Sequence, residues 1–255
     1  MHFLLVNDDG IQSPLLHALC AAAVRRGHRV TVSAPASQQS AKSHAFTIVE
    51  PVLARPAEVP GAQEAWAVSG TPVDCARLGL LALGSQPVDL VISGINDGLN
   101  SGMAAYVSGT VGAAREAAFL RGRALASSVP FGTSPEKAAW CADYTVRVAE
   151  CLSTFDAPAY SVCNLNFPAC EPQEMLPPVL APLSEVVYDC GYAETVSPRG
   201  DRYFWPTPEV PALHVPAETD LGQLNAGHIS FTFLTVNGID QRQCAGFLDL
   251  LQTAL

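Results

Sequence analysis

The sequence lacks most of the signatures that would assign it to a common enzyme class. Its eight cysteines form no C-x-x-C pair, so a cysteine zinc site has no support in their spacing. No G-x-G-x-x-G follows the first apolar run, and no G-x-x-x-x-G-K-[ST] occurs. Dinucleotide binding and P-loop chemistry therefore lose their fingerprints. G-x-S-x-G is absent, as are the D-x-D of aspartyl-phosphate phosphatases and any H-x-x-x-H pair among the six histidines. No apolar run is long enough to cross a bilayer, and Phe3–Val6 follows the start without a basic leader. Neither a membrane partner nor a signal peptide is expected.

Charge is also scarce. Only 15% of the residues are charged, and 24 acidic against 14 basic side chains give a net charge of −10. A chain of this sign is a poor general binder of polyanions, so no nucleic-acid partner is expected. A substrate carrying phosphate would need a metal or a helix N-terminus to supply positive potential locally.

What is present is apolar. With 49% hydrophobic residues over 255 positions and a mean hydropathy of +0.21, the chain suits a sheet covered on both faces or a substantial oligomer interface. The scattered cysteines, several in contexts such as Leu19-Cys20-Ala21, read as reduced thiols packed as small apolar side chains. That points to a cytoplasmic location.

The organising stretch is Phe3-Leu4-Leu5-Val6-Asn7-Asp8-Asp9-Gly10. Its apolar run reads as a buried strand that stops at paired carboxylates. Adjacent acids at a strand end are costly unless a cation or several donors neutralise them; an ordinary Asn-Asp-Gly turn is the alternative. Ser13-Pro14 then opens a helix with Leu15, Leu16, Leu19, Ala22 and Ala23 on one face, ended by Gly27. Arg29–Ser33 is a second strand, so the opening reads β-α-β with parallel strands. The polar loop from Ala36 to His44 falls at the same sheet edge as Asp8 and Asp9, where open parallel sheets bind ligands. His44, alone in that loop, reads as solvated.

Strands are expected at Ala45–Leu53, Ala65–Val68, Val88–Ser93, Ala124–Val129 and Tyr160–Asn166, with helices at Val73–Leu83, Val111–Leu120 and Ser134–Leu152. Asn164 and Asn166 read as structural polar groups at a sheet end. The strand at Val88–Ser93 leads into a loop over Gly94–Gly102. Ser108-Gly109-Thr110 opens the next helix, where small residues and free N–H groups make a ready anion cradle. Beyond Pro172 helix signals fade. Short strands are expected at Glu185–Tyr188 and Arg202–Trp205, with Gly191–Gly200 as a hairpin arm between them. Ile229–Val236 alternates as a half-exposed strand, and Ala245–Thr253 closes as an amphipathic helix. The fold class is α/β with a mostly parallel sheet, read as a single domain over 1–255 with a core to about residue 170 and an extension over about 171–255.

Asp8, Asp9, Ser40 and Asn96 are thus oxygen donors at neighbouring strand ends. Two carboxylates, a hydroxyl and an amide oxygen suit Mg²⁺ or Mn²⁺. Beside the cradle this set fits metal-assisted phosphoester hydrolysis.

At these residues the chain resembles the SurE family. The resemblance is carried by Asn7-Asp8-Asp9-Gly10, by Ser69-Gly70-Thr71-Pro72, by Ser93-Gly94-Ile95-Asn96-Asp97-Gly98 with Asn100 and Gly102, and by Ser108-Gly109-Thr110-Val111-Gly112. It implies a Rossmann-like three-layer core with a C-terminal hairpin and helix extension exchanged in a homodimer or homotetramer. It implies one divalent metal per subunit on Asp8, Asp9, Ser40 and Asn96, with Asp8 and Asp9 catalytic, one of them as nucleophile or as base for water. Phosphate and substrate contacts would fall on Asn7, Gly94, Asn100, Ser108, Gly109 and Thr110. The implied activity is hydrolysis of nucleoside 5′- and 3′-monophosphates, with short polyphosphate a substrate of some members. The chain departs from the family pattern at Ala36, Ser37 and Ala41, where an acid, a base and a glycine are usual, and at Met103 and Ala104, where acids are usual. Those departures keep a non-catalytic nucleotide- or metal-binding homologue, or a phosphatase for another phosphoester, as rival readings.

Overall fold

A computed structural model describes residues 1–186, 189–209, 215–235, 238–239 and 246–254. The centre is β1 (His2–Val6), buried along its whole length. It pairs in parallel with β2 (Arg29–Pro35) on one side and with β5 (Leu90–Asp97) on the other. Beyond β2 lie β4 (Glu64–Val68), parallel, and the short β3 (Ala54–Pro56), antiparallel. Beyond β5 lie β6 (Arg123–Val129) and β7 (Ser161–Asn166), both parallel. β11 (His228–Thr235) then runs antiparallel to β7. It pairs further with β8 (Leu176–Leu180) and β12 (Gly238–Ile239). The chain leaves β1 towards β2 and returns across it to β5. That reversal places a topological switch point at the carboxyl ends of β1 and β5, the crevice where open α/β sheets take ligands.

Helices cover both faces. α1 (Pro14–Arg25) packs on α5 (Pro135–Thr154), and α2 (Pro72–Leu78) packs on α4 (Gly109–Arg121), which the single turn α3 (Ala104–Val107) precedes. Side chains alternate along β1: Phe3 and Leu5 enter the α1/α5 core, while Leu4 and Val6 enter the α2/α4 core. Each fully buried leucine contributes about 1.5–3 kcal/mol. The local rules read from sequence are met at the helix starts. Ser13 and Ser134 accept from Leu16 and Lys137 N–H, each ahead of a proline. Thr71 and Asp74 form a reciprocal capping box on α2.

Several expectations are corrected. Residues 45–53 form no strand; Ile48 is 79% and Val49 94% exposed, and strand pairing at this edge is limited to Ala54–Pro56. β-branched residues without a burying face do not make a strand. β5 does not end at Ser93 but runs to Asp97, past a cis Gly94–Ile95 peptide and a register shift against β6. The helix expected over Val73–Leu83 ends as α-helix at Leu78 and continues as a π-helical turn, Gly79–Leu83. β11 is buried on both faces, not half-exposed. Its aromatics Phe231 and Phe233 pack with Phe247 of α7 (Gly246–Ala254), while Thr232 on the other face donates to the Ala181 carbonyl. A covering layer on each side explains the burial.

The C-terminal part also holds elements that were not expected, including β8, with two prolines at its edge position, and α6 (Asp220–Asn225). β9 (Asp189–Val196) and β10 (Arg202–Glu209) form the expected hairpin as a separate two-stranded sheet. Of the strand expected at Glu185–Tyr188, residues 185–186 are irregular and 187–188 lie outside the described residues. Val236 and Ala245, the ends of two expected elements, lie outside them too. Among the described residues no helix is long and apolar enough to cross a membrane.

Candidate active site

Alternation continues past the end of β1 and sends the paired acids to opposite sides. Asp8 faces α4. Its Oδ1 accepts the Thr110 hydroxyl at 2.5 Å and its Oδ2 accepts the Thr110 N–H at 3.2 Å. Gly109 has no side chain in the way: a Cβ there would sit 3.0 Å from both Asp8 Cβ and Oδ2. Asp9 faces α1 and α5, accepts the Asp97 N–H at 3.2 Å, and lines a cavity of about 530 Å³ with Pro14, Leu15, Gln38 and Ala138.

The two carboxyls are held in an environment that resists their charge. Burial pushes Asp8 above its ordinary value, against hydrogen bonds from Thr110 that pull it down. Asp9 is pushed up to about 6, first by burial and then by the charge of Asp8, with the Asp97 N–H opposing. The charge of each acid is unfavourable beside the other, a cost that a nearby cation would relieve.

The remaining donors converge unequally. Asn96, the second-last residue of β5, donates its amide to the Gly98 carbonyl at 2.6 Å. Its Oδ1 lies 3.3 Å from the Thr110 hydroxyl, so it belongs to the Asp8–Thr110 cluster. Ser40 is exposed and accepts from Gln38 Nε2 at 3.1 Å; its neighbour Gln39 donates N–H to the Asp8 carbonyl at 2.7 Å, which brings the loop to the acid pair. Among the described residues there is no group of three or more His, Cys, Asp or Glu placed to hold a metal ion. Two carboxylates completed by neutral oxygens fit a hard divalent cation that keeps open positions.

The other residues singled out in the sequence shape the site's walls. Ser108 caps α4 by accepting the Val111 N–H at 3.1 Å, leaving the Gly109 and Thr110 amides directed at Asp8. Asn7 is fully buried and closes the turn on Gly10 through both its amide atoms. Gly94, at φ +132°, would place a Cβ 2.4 Å from the Ser127 carbonyl oxygen, so β5 can lie against β6 only with glycine there. Asn100 holds the following loop: its N–H donates to Asn166 Oδ1, its amide donates to Ser128, and its carbonyl accepts from Asn164 and Asn166. Asn164 and Asn166 are thus structural, as expected.

Three contacts were not read from the sequence. Asp97 braces Asp9 and accepts the Gly132 N–H at 2.9 Å. Asp220 of α6 accepts N–H groups from Gly102, Ser184 and Leu221 and so ties the loop after β5 to the C-terminal part. His44 is not solvated: its Nε2 lies 2.8 Å from Glu116 Oε2. A lone acid in the alanine-rich α4 was the available hint for Glu116.

The model of the survival protein SurE family matches residues 3–188. The chain belongs to the SurE family. It is 39% identical over 244 residues to the 5′-nucleotidase SurE of Desulfovibrio desulfuricans, covering 94% of this chain and 95% of that one. It is 40% identical over 237 residues to the 5′-nucleotidase SurE of Solidesulfovibrio magneticus, covering 91% and 90%. The crystal structure of the SurE protein from Aquifex aeolicus superposes with a TM-score of 0.77 at 29% identity, covering 98% of this chain and 100% of that one. The mostly parallel α/β architecture is therefore the SurE fold.

Proposed function

We propose that this SurE-family chain is a divalent-metal-dependent phosphomonoesterase acting on nucleoside 5′- and 3′-monophosphates. The observation that carries this reading is the bonding of Asp8 to the N-terminus of α4 through Thr110. It joins an acid pair to an anion cradle at the switch point of the sheet. The names of the relatives supply the substrate class.

Asp8, Asp9, Ser40 and Asn96 would hold one Mg²⁺ or Mn²⁺ per subunit. When bound, such a cation polarises a phosphoryl oxygen and acidifies water. With Asp8 turned towards a cation, the amides of Gly109 and Thr110 and the Thr110 hydroxyl, which bond to Asp8 here, would be free to bind the phosphoryl oxygens and stabilise the negative charge that grows on them. Either Asp8 or Asp9 attacks phosphorus as the P–O bond to the nucleoside breaks, leaving an acyl phosphate that water hydrolyses, or it takes the proton of a water that attacks phosphorus directly; in both cases the departing nucleoside oxygen takes a proton from water. Asn7, Gly94, Asn100 and Ser108 act by fixing the two loops that carry these groups.

The β9–β10 hairpin leaves Tyr192, Tyr203, Phe204 and Trp205 more than half exposed, at 68%, 52%, 51% and 64%. Aromatics presented this way favour burial against a second copy, so the protein is read as a homodimer or homotetramer. Cys20, Cys75, Cys141 and Cys151 are free and buried, in keeping with the cytoplasm.

The test is phosphate release from a panel of nucleoside monophosphates with Mn²⁺ or Mg²⁺, with and without EDTA. Metal-dependent release is expected from at least one nucleotide. No release from any of them, with metal still bound, would overturn the enzyme reading in favour of a binding protein.

A further inference from the structure

Glu116 is a buried carboxylate outside the cluster just described. It lies on α4 about two turns beyond Gly109. One of its oxygens takes the Arg77 guanidinium of α2. The other faces His44 Nε2 at 2.8 Å. His44 belongs to the loop that leaves β2 and carries Ser40. Its ring also packs on Phe119 of α4, centroids 5.4 Å apart, and Arg77 lies over the Phe46 ring of the same loop.

The loop rests on α4 at a second point. A Cβ on Gly112 would lie 2.1 Å from the Ser43 carbonyl oxygen. The loop backbone therefore occupies the space that any other residue at 112 would fill. Ser43 donates its N–H to the Val107 carbonyl at 2.9 Å and its hydroxyl to the Tyr106 carbonyl at 2.7 Å. Upstream, Gln39 is bonded to the Asp8 carbonyl. Between these anchors only Ser40, Ala41 and Lys42 are exposed without either hold. α4 thus presents Thr110 to Asp8 at its first turn and seats the Ser40 loop with Gly112 and Glu116 further along.

We infer that Glu116, acting through His44, is a positioning residue for the metal site: it fixes the Ser40 loop on the helix that carries the phosphate cradle. The inference rests on the reading of Ser40 as a metal ligand. Groups that orient ligands in this way are worth about 10–100-fold in metal affinity.

The experiment is calorimetric titration of Mn²⁺ into the metal-free, full-length protein for the wild type, Ser40→Ala, His44→Ala, Glu116→Gln and Gly112→Ala. Turnover is measured across Mn²⁺ concentrations in parallel. His44→Ala, Glu116→Gln and Gly112→Ala should each weaken Mn²⁺ binding about tenfold or more. Their kcat at saturating Mn²⁺ and their KM for nucleotide should stay near the wild-type values. A purely structural role would lower the melting temperature and leave Mn²⁺ affinity unchanged, which overturns the inference. If Glu116→Gln does not fold, His44→Ala decides, because its partly exposed side chain removes only the loop half of the contact. Weak binding in Ser40→Ala alone refutes the clamp and keeps the ligand reading. Unchanged binding in Ser40→Ala refutes the ligand reading and the clamp with it.

Discussion

Asp8 and Thr110 stand 102 positions apart and meet through two hydrogen bonds, one from the Thr110 hydroxyl and one from its backbone N–H. The end of the central strand is thereby locked to the start of α4. Because the same hydroxyl lies near Asn96, one threonine side chain ties together three parts of the site.

Substitution at this junction should separate chemistry from folding. Asp8→Asn keeps an acceptor for Thr110 but removes the charge, so phosphate release should fall by at least about 100-fold with the fold intact. Thr110→Ala keeps the backbone N–H and loses the hydroxyl, and should cost about 10–100-fold. Initial rates with Mn²⁺, together with circular dichroism, check both. Full activity in Asp8→Asn would remove Asp8 from the mechanism.

Asp9 predicts a pH effect on the metal-free protein. Its folded-state pKa is raised to about 6 from 3.8, so the folded state holds this proton more tightly than the unfolded one. The stability linked to the group is complete below about pH 4 and is lost as pH rises through 6. Asp9→Asn mimics the protonated form. In EDTA it should melt higher than the wild type at pH 7.5, and the gap should narrow towards pH 5. A gap that is constant across this range would contradict the assignment.

Ala41 sits beside Ser40 at φ +58°, a left-handed conformation that costs a residue with a Cβ about 1–2 kcal/mol. Ala41→Gly removes that strain and adds back about 0.5–1 kcal/mol of unfolded-chain entropy. The net expectation is a gain of up to about 1.5 kcal/mol, read from urea denaturation. A loss would mean that the alanine methyl makes a contact worth more than the strain.

Asp220 accepts three backbone N–H groups, from Gly102 at 2.7 Å, Ser184 at 2.8 Å and Leu221 at 2.7 Å. Asp220→Ala leaves buried donors unpaired, each worth about 1–3 kcal/mol. It should destabilise the protein by about 3 kcal/mol or more in chemical denaturation. Because Gly102 lies in the loop that leads to the cradle, Asp220→Asn should also lower activity at a temperature where the variant is folded. Wild-type stability in Asp220→Ala would show that water replaces the carboxylate.

What was legible in the sequence is what local chemistry decides. Ser13-Pro14, Thr71-Pro72 and Ser134-Pro135 announce helix starts because a cap and a proline act within one turn. The apolar run ending at Asp8 and Asp9 announces a buried strand and where it ends, because no core tolerates paired acids. Residues 45–53 misled for the complementary reason: β-branched residues are common in strands, but a strand also needs a partner and a face to bury, and here the pairing stops at Ala54–Pro56. β11 misled in the opposite sense, since its alternation gave no sign of the layers that cover both its faces.

The sequence by itself determined the central buried strand, the helix starts and the placement of Asp8, Asp9 and Asn96 at strand ends, since strand period, capping and the cost of buried charge operate over a few residues. Only the tertiary structure decided that β5 returns beside β1, that α4 brings Thr110 to Asp8, and that His44 finds Glu116 72 positions away. Those meetings depend on the pairing order of the sheet and on which helix covers which face. Both are set by burial summed over the whole chain, so no short segment carries a record of them.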